Sequence, residues 1–293
     1  MRSRDIVELL ILAAIWGASF LFMRVAAPAF GPVVLIFLRV LVATIVLVPV
    51  LASKGELGQL RRYWRQLLVV GLLNSALPFF CFAYATLSLS AGFTAVLNAT
   101  SPLWGALVAL VWLHIPLPRI RALGLAMGVV GVAILVWGKI SFKAGGSGFA
   151  VFAALGATLC YGIAANYAKE KLAGVSALSA TAGSQLAATL LLAPFVPAFW
   201  PAQMPDAGAW GACIALGVAC TAIAYLLYFR LIARVGASRA IAVTFLIPLF
   251  AIVWGGLFLG EQLTPNMVLG GLVILTGTAL SVGLINPFRL RTA

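Results

Sequence analysis

The sequence predicts an all-α integral membrane protein with ten transmembrane helices in two inverted five-helix repeats. Of its 293 residues, 64% are hydrophobic and 9% are charged, and the mean hydropathy is +1.15. A soluble globular chain carries about 25% charged residues. The composition therefore excludes a soluble domain, and an internal repeat specifies how the helices are arranged.

Ten apolar segments are long enough to cross a bilayer, which takes about 20 residues of helix. Short connections separate them, so no extramembrane domain is expected. In chain order the predicted spans are residues 6–24, 32–52, 66–86, 91–113, 120–138, 149–168, 176–198, 210–231, 238–259 and 267–286.

The two halves of the chain share a pattern of residues. A shift of 145 residues aligns Trp16 with Tyr161, and a shift of 146 aligns Pro102 with Pro248. A loop that is one residue longer explains the change of register. Duplicated helix bundles are common in secondary transporters, so the repeat favours a transporter over a membrane scaffold.

Basic residues set the predicted orientation, because Lys and Arg concentrate in cytoplasmic loops. With both termini in the cytoplasm, fifteen of the 19 basic residues lie on that side: Arg2, Arg4, Lys54, Arg61, Arg62, Arg65, Arg119, Arg121, Lys169, Lys171, Arg230, Arg234, Arg239, Arg289 and Arg291. Arg24, Lys139 and Lys143 fall outside. We predict a multi-pass protein of the plasma membrane, the inner membrane of a bacterium. Because each repeat has an odd number of spans, the second (144–293) is inverted relative to the first (1–143).

The residues of common catalytic sites are missing. The sequence has neither a GxxxxGK[ST] phosphate loop nor a GxSxG elbow, and its single histidine, His114, belongs to no metal-binding cluster. We predict no enzyme, no cofactor and no metal site. The basic loops explain the formal charge of +13, so no nucleic-acid partner is expected. The expected partners are the lipid bilayer and a small-molecule substrate.

The acidic residues are few and lie at helix ends or in loops: Asp5, Glu8, Glu56, Glu170, Asp206 and Glu261. Proton-driven carriers usually hold an ionisable group deep in a span. The distribution of the acidic residues therefore favours facilitated or exchange transport over proton antiport.

Pro102 and Pro248 lie near the middle of the fourth and ninth predicted spans. A proline there frees a backbone carbonyl, which lipid tolerates only where the carbonyl faces protein or a cavity. Their equivalent places indicate a midplane pocket between the repeats, with the prolines as hinges. The alternative is that they only curve two packed helices.

Aromatic and neutral polar side chains lie at the same depth. We predict that ten of them bind the substrate: Trp16, Asn74, Phe79, Ser101, Trp104, Tyr161, Gln185, Tyr225, Thr244 and Phe245. Aromatic faces attract an ammonium group, and the polar groups suit a carboxylate, so the set fits a zwitterionic amino acid. Core packing and hydrogen bonds between helices are the alternative role for each residue taken singly.

Arg39 is the one basic residue within a predicted span, roughly 10 Å from its outer end at 1.5 Å per residue. It can reach the interface, pair with Glu261 or bind a substrate carboxylate. We predict a structural role, with substrate binding as the alternative. We predict that His114 interacts with the last carbonyls of the fourth span, with proton coupling as the alternative.

Glycines recur on the fifth and tenth predicted spans at about four-residue spacing: Gly124, Gly128 and Gly131 on one, Gly270, Gly271 and Gly277 on the other. Small residues let membrane helices approach closely. We expect these two spans to pack outside the pocket, against the bundle or against another copy in a homodimer.

Several runs resemble one transporter family. The runs are Ala14-Ile15-Trp16-Gly17-Ala18-Ser19-Phe20, Phe37-Leu38-Arg39, and Gly260-Glu261-Gln262-Leu263-Thr264 followed by the segment 270–277. They are similar to the drug/metabolite transporter superfamily of EamA type, and among its members to the aromatic amino-acid exporters. The resemblance implies two inverted five-helix repeats and export of small metabolites, often amino acids. The first half of the chain departs from the family pattern at His114-Ile115, because the corresponding positions in the second half are Gly260-Glu261.

The predicted function is therefore a secondary transporter that exports small amphipathic metabolites, aromatic amino acids foremost, by alternating access at the midplane pocket. Export of other drugs or metabolites is the alternative within the same class. The alternative from another class is a membrane-embedded lipid-modifying enzyme, which needs a nucleophile, base or metal site near the interface.

Overall fold

The computed structural model describes residues 2–138, 140–142 and 146–284. This part of the chain consists of helices and connecting turns without a β-strand, which confirms the predicted all-α class. Four residues used above to orient the chain (Lys139, Lys143, Arg289 and Arg291) and the predicted repeat boundary at 143–144 lie outside the described residues.

Ten spans are present in the described ranges. The helix Ser3–Ser53 contains two of them, residues 3–30 and 32–53, because Gly31 has φ 70° and ψ 154° and breaks the helix. The next six are Trp64–Ala85, Ala91–Trp112, Arg119–Val136, Gly148–Lys171, Ala177–Phe199 and Ala207–Val235, and the shorter apolar helices Val243–Leu259 and Pro265–Ser281 complete the set. The spans are numbered in this order below.

Short polar side chains begin several of these spans. Ser90, Ser176, Asp206 and Thr264 each accept a hydrogen bond from the backbone N–H three residues ahead. These bonds satisfy donors that a helix N-terminus leaves unpaired. The fourth, seventh, eighth and tenth spans therefore begin where the local sequence supplies a cap.

The ninth span begins later than the sequence predicts, at Val243 rather than at residue 238. A short helix, Ala237–Ala240, precedes it and follows Gly236, whose φ is 83°. Ser238 and Arg239 in the short helix lie directly before a long, mainly apolar run, so hydropathy alone did not separate the two helices.

The third and eighth spans each contain a π-helical segment, at Leu72–Ala76 and at Val218–Ile223. A shift of 146 residues places the first segment on the second. Such segments interrupt the regular helical hydrogen bonds and occur frequently at functional sites. The two repeats therefore share a local distortion as well as a residue pattern.

The two predicted hinge prolines differ in their surroundings. The fourth span consists of the helices Ala91–Asn98 and Ser101–Trp112, with Pro102 in the first turn of the second helix. Proline is tolerated there because its missing N–H needs no partner. Pro248 lies inside the continuous helix Val243–Leu259. Only the fourth span is thus interrupted beside its proline, and the bending of either span during transport stays a prediction.

Close contacts between spans repeat from one half to the other. Gly17 on the first span packs against Phe250 on the ninth, where an added Cβ would lie 2.7 Å from the Phe250 Cβ. Gly162 on the sixth span packs in the same way against Trp104 on the fourth, 2.9 Å from its Cβ. Shifts of 145 and 146 residues convert the first contact into the second.

Thr44 and Thr189 correspond to each other by a shift of 145 residues and also touch. Their hydroxyl oxygens are 3.2 Å apart. Two equivalent residues meet only at a pseudo-two-fold axis, which therefore passes between the second and seventh spans. Since five spans separate the equivalent elements, the repeats have opposite orientations across the membrane.

The fifth and tenth spans pack on each other within one chain. An added Cβ on Gly124 would lie 2.5 Å from the Gly277 carbonyl oxygen, and one on Gly270 would lie 2.8 Å from that of Gly131. The glycine faces are therefore occupied inside the bundle. A homodimer through these spans stays a prediction, and it would use their outward faces.

Candidate functional site

A cavity of about 390 Å³ lies between the two repeats at the middle of the spans. The first, second, third and fourth spans form one side, and the sixth, eighth and ninth form the other. Its lining residues are Trp16, Ser19, Phe20, Met23, Arg39, Asn74, Phe79, Phe82, Asn98, Ser101, Pro102, Gly105, Tyr161, Gly162, Ala165, Cys220, Tyr225, Tyr228, Ile241, Thr244 and Ile247. None comes from the fifth or tenth span.

Seven of the ten residues predicted to bind substrate line this cavity: Trp16, Asn74, Phe79, Ser101, Tyr161, Tyr225 and Thr244. The predicted hinge Pro102 lines it as well. The structure thus brings together side chains from six spans that the sequence related only by depth. Their contact with a substrate stays a prediction.

Three predicted binding residues lie outside the cavity lining, as does Pro248. Phe245 and Pro248 each follow a lining residue, Thr244 or Ile247, by one position. One residue turns a helix by about 100°, so neighbours of the stripe formed by 241, 244 and 247 face elsewhere.

The other two predicted binding residues outside the lining, Trp104 and Gln185, contact neighbouring spans. Trp104 belongs to the tight contact with Gly162 between the fourth and sixth spans. Gln185 has an exposed fraction of 0%, and its Nε2 donates a hydrogen bond to Ser75 Oγ at 3.0 Å. Gln185 therefore joins the seventh and third spans in the protein interior.

Several residues that line the cavity were not predicted from their depth in a span, but their helical spacing from predicted residues indicates them. Ser19, Phe20 and Met23 follow Trp16 by three, four and seven positions, and Tyr228 follows Tyr225 by three. Residues at these spacings share one helix face. Each of these residues lines the cavity.

Aromatic rings form one wall of the cavity. The Trp16 ring centroid is 6.0 Å from that of Tyr225 in an edge-to-face arrangement, and 5.1 Å from that of Tyr228. These rings come from the first and eighth spans, and such pairs are attractive at these distances. The wall offers both apolar surface and π-faces to a ligand.

A second group of rings closes the cavity at the end away from the N-terminus. Phe20 and Phe82 pack edge to face with centroids 5.7 Å apart, and Phe82 lies 6.0 Å from Tyr161. Phe20, Phe82 and Met23 are only 5%, 2% and 2% exposed. Toward the N-terminal end, Tyr228, Ile241 and Thr244 are half-buried. The cavity is therefore sealed at one end and more accessible at the other.

Arg39 lines the cavity and does not pair with Glu261, which was one of the three possibilities that the sequence left open. Its Nε donates to Thr221 Oγ1 at 3.0 Å, and its Nη1 lies 3.8 Å from the Met23 sulfur. The guanidinium carbon lies 3.8 Å from the centroid of the Phe79 ring. Arg39 is the only charged residue in the described lining.

Glu261 caps the fourth span from the opposite repeat. Its carboxylate accepts hydrogen bonds from the Ala91 N–H at 2.9 Å and the Gly92 N–H at 3.4 Å. The Arg24 Nε lies 4.0 Å from the same carboxylate. An acidic group at a helix N-terminus is stabilising, so Glu261 links the ninth-to-tenth connection with the first and fourth spans, away from the cavity.

Ion pairs join the first and eighth spans at the N-terminal end. Arg230 Nε lies 2.7 Å from Glu8 Oε1, and Arg234 Nε lies 3.2 Å from Asp5 Oδ1. Arg234 also contacts Glu8. Asp5 and Glu8 are buried despite their place at a helix end, and their charges are balanced there.

A second set of contacts, made by hydrogen bonds to Glu56 and Gln59, joins the repeats on the same side. The Ser179 hydroxyl donates to the Glu56 carboxylate at 3.0 Å, the Ser176 hydroxyl donates to the same group, and the Ser176 N–H donates to Gln59 Oε1 at 3.0 Å. The two hydroxyls stabilise the carboxylate form, so they lower the pKa of Glu56. Two sets of contacts thus hold the two repeats together at this end.

The sequence matches the EamA-like transporter family twice, over residues 6–137 and over residues 148–283. The chain belongs to this family. The two matches cover most of both halves, and the ten-span fold around a central cavity agrees with a membrane transporter.

Two relatives match nearly the whole chain. It is 27% identical over 284 residues to the uncharacterized transporter YvbV of Bacillus subtilis, covering 95% of this chain and 92% of the relative. It is 26% identical over 289 residues to a probable terminal-alkyne amino-acid exporter of Streptantibioticus cattleyicolor, covering 95% and 93%. A protein of known crystal structure superposes over 100% of both chains with a TM-score of 0.68 and 19% identity, which supports the fold.

Proposed function

We propose that this EamA-family transporter exports small amphipathic metabolites, aromatic amino acids among them, by alternating access at the central cavity. The observation that carries the proposal is the cavity itself, which both repeats line with aromatic rings and hydroxyls, and the first repeat also with the amides of Asn74 and Asn98. Its volume of about 390 Å³ lies within the range of small-molecule sites, roughly 300–1,000 Å³.

The chemistry of the lining supports an amphipathic substrate. Trp16, Tyr225 and Tyr228 offer apolar area and π-faces that can hold an ammonium group. Asn98 and Ser101 offer hydrogen-bonding groups nearby. One relative carries the name of a probable amino-acid exporter, which agrees with this substrate class.

Alternating access fits the symmetry of the contacts. Rocking one inverted repeat against the other exchanges which end of a midplane site is open. The rings of Phe20 and Phe82 close one end. The ion pairs of Asp5 and Glu8 hold the first and eighth spans together at the other end. Both layers are formed in this structure, so we propose that the Phe20–Phe82 contact opens as the accessible N-terminal end closes.

Counterflow in liposomes tests the proposal directly. Vesicles loaded with unlabelled L-phenylalanine or L-tryptophan should take up the same labelled amino acid faster than unloaded vesicles or vesicles without protein. Export of other metabolites would show as counterflow with those solutes and none with aromatic amino acids. Absence of counterflow with every small solute tried would contradict a transport function.

We propose that both termini are cytoplasmic and that the membrane is the bacterial inner membrane. Cysteines introduced at Gly58 and Gly208, both exposed and on opposite ends of the bundle, should then react from opposite sides. An impermeant maleimide should label Gly208→Cys in intact cells and Gly58→Cys only after the cells are opened. The parent chain, whose cysteines lie within spans, is the control, and external labelling of both positions would overturn this topology.

We expect transport to be independent of a proton gradient. The cavity lining contains no carboxylate or histidine among the described residues, and His114 is exposed just after the fourth span with φ 51°. Coupling requires a group whose proton affinity differs between the two conformations. Counterflow rates should therefore be similar at about pH 6 and about pH 8, on either side of the ordinary histidine pKa.

The matched control for this expectation is His114→Ala, which should transport like the parent protein. Accumulation of substrate against its gradient on imposing a pH difference would contradict the expectation. Loss of that accumulation in His114→Ala would then identify His114 as the coupling group.

A further inference from the structure

Arg39 carries a positive charge that the described part of the protein leaves without an acidic partner. Its exposed fraction is 4%, and none of the ion pairs between described residues includes it. Burying a charge is unfavourable unless an opposite charge and hydrogen bonds compensate it. A buried arginine without a carboxylate therefore needs another explanation.

Most of the hydrogen-bonding capacity of this guanidinium is unused. The group has five N–H donors. Nε uses one on Thr221, and Nη1 has only the Met23 sulfur within reach, which is a weak acceptor. Among the described residues, no oxygen accepts a hydrogen bond from either terminal nitrogen. Because Arg39 lines the cavity, these donors are available to a ligand there.

The opposite repeat shows that the structural part of this contact needs no charge. Gln185, one residue beyond the position that corresponds to Arg39, donates to Ser75 at 3.0 Å. Ser75 corresponds to Thr221 by the shift of 146 residues. A neutral amide therefore makes the same bond between spans, and Gln185 does not line the cavity. The charge and the cavity position are particular to Arg39.

We propose that Arg39 binds the carboxylate of the substrate, so that the transporter prefers monocarboxylates, zwitterionic amino acids included, over amines of the same shape. This inference rests on the proposed function and specifies its substrate class. A guanidinium binds a carboxylate through two parallel hydrogen bonds, which adds geometric selectivity to the charge. The Phe79 ring, whose centroid is 3.8 Å from the guanidinium carbon, restricts the movement of the group beside the cavity.

The remainder of the lining limits the charge of the ligand. Arg39 is its only cation among the described residues, so a dianion or a phosphate ester would bring a second negative charge without a partner. The aromatic wall of Trp16, Tyr225 and Tyr228 lies in the same cavity and can accept an ammonium group. One carboxylate and one ammonium on an apolar body therefore match the groups that are present.

Competition for binding to the purified protein tests the proposal. The probes are L-phenylalanine, phenethylamine, which lacks the carboxylate, and N-acetyl-L-phenylalanine, which lacks the ammonium charge. The parent protein should bind phenethylamine about 10- to 100-fold more weakly than L-phenylalanine, since a hydrogen bond to a charged group contributes about that factor. Arg39→Gln should lose this preference, whereas Arg39→Lys should keep part of it.

Two controls separate binding from a structural role. Thr221→Val removes the hydrogen bond between spans and keeps the charge, so it should keep the preference for the carboxylate. The melting temperature of each variant reports folding, and Arg39→Gln should remain folded because Gln185 shows that an amide suits this contact. Loss of the preference in Thr221→Val, or an Arg39→Gln variant that keeps it, would overturn the proposal.

A last comparison separates this inference from the proposed function. 3-Phenylpropionate and 3-phenylpropanol differ in the carboxylate and lack an amine. A parent protein that ignores amino acids but prefers 3-phenylpropionate supports the role of Arg39 and contradicts amino-acid export. Equal binding of the acid and the alcohol by the parent protein contradicts the role of Arg39.

Discussion

Replacement of Trp16 by alanine should lower the apparent affinity for an aromatic amino acid at least about tenfold, while folded protein remains in the membrane. Trp16 lines the cavity and packs against both Tyr225 and Tyr228. Its loss removes a ligand-facing ring and loosens the two that remain. The measurement is the concentration dependence of L-tryptophan counterflow in liposomes, together with the melting temperature of the variant in detergent.

Two other tryptophans serve as matched controls for this substitution. Trp137 is 78% exposed and lies outside the cavity, so Trp137→Ala should transport like the parent protein. Trp104 lies outside the cavity lining, and its contact with Gly162 is made by its backbone and Cβ, which alanine keeps, so Trp104→Ala should change the apparent affinity less than Trp16→Ala. Parent-level transport by both Trp16→Ala and Tyr225→Ala would show that the substrate binds elsewhere.

The fold could be predicted from the sequence because the bilayer imposes length and composition on every span. Ten apolar segments of about the right length appear in the sequence, and the described residues contain ten spans. What hydropathy could not show was where an apolar segment bends. The π-helical segments at 72–76 and 218–223 lie inside mainly apolar runs, and the short helix before Val243 leads directly into one.

Of the candidate site, the sequence could predict only how deep each residue lies in the membrane. Depth in a span follows from sequence position, and seven of the ten selected residues line the cavity. Depth does not tell which way a side chain points around its helix. Phe245 and Gln185 have the predicted depth but lie outside the cavity lining, whereas Tyr228, three residues from Tyr225 on the same helix face, lines the cavity without having been predicted.

The environment of Arg39 could not be predicted from the sequence because it depends on residues that are distant in the chain. Its hydrogen-bond partner Thr221 is 182 residues away, and the lack of an acidic neighbour depends on where Glu261 lies. The sequence left three possibilities open for Arg39: reaching the interface, pairing with Glu261 or binding a substrate carboxylate. Only the tertiary structure shows that Glu261 caps the fourth span beside Arg24 instead.

Adding one methyl group at Gly277 should destabilise the protein by about 1–3 kcal/mol, the usual cost of overpacking a close contact. The Cβ of Gly277→Ala would lie 2.6 Å from the backbone carbonyl oxygen of Gly124 and 2.8 Å from the Gly128 nitrogen. Backbone atoms of a neighbouring helix cannot rotate away as a side chain can, so the fifth and tenth spans must separate. A lower melting temperature in detergent is the expected readout.

The control for Gly277→Ala is the same substitution at Gly156 in the sixth span. Nothing lies within 4 Å of an added Cβ there, and alanine favours a helix over glycine by about 1 kcal/mol. Gly156→Ala should therefore melt at the temperature of the parent protein or above it. Since the fifth and tenth spans lie outside the cavity, the Gly277→Ala protein that remains folded should keep the parent apparent affinity. Unchanged melting of Gly277→Ala would mean that the glycine faces of the two spans are not in contact.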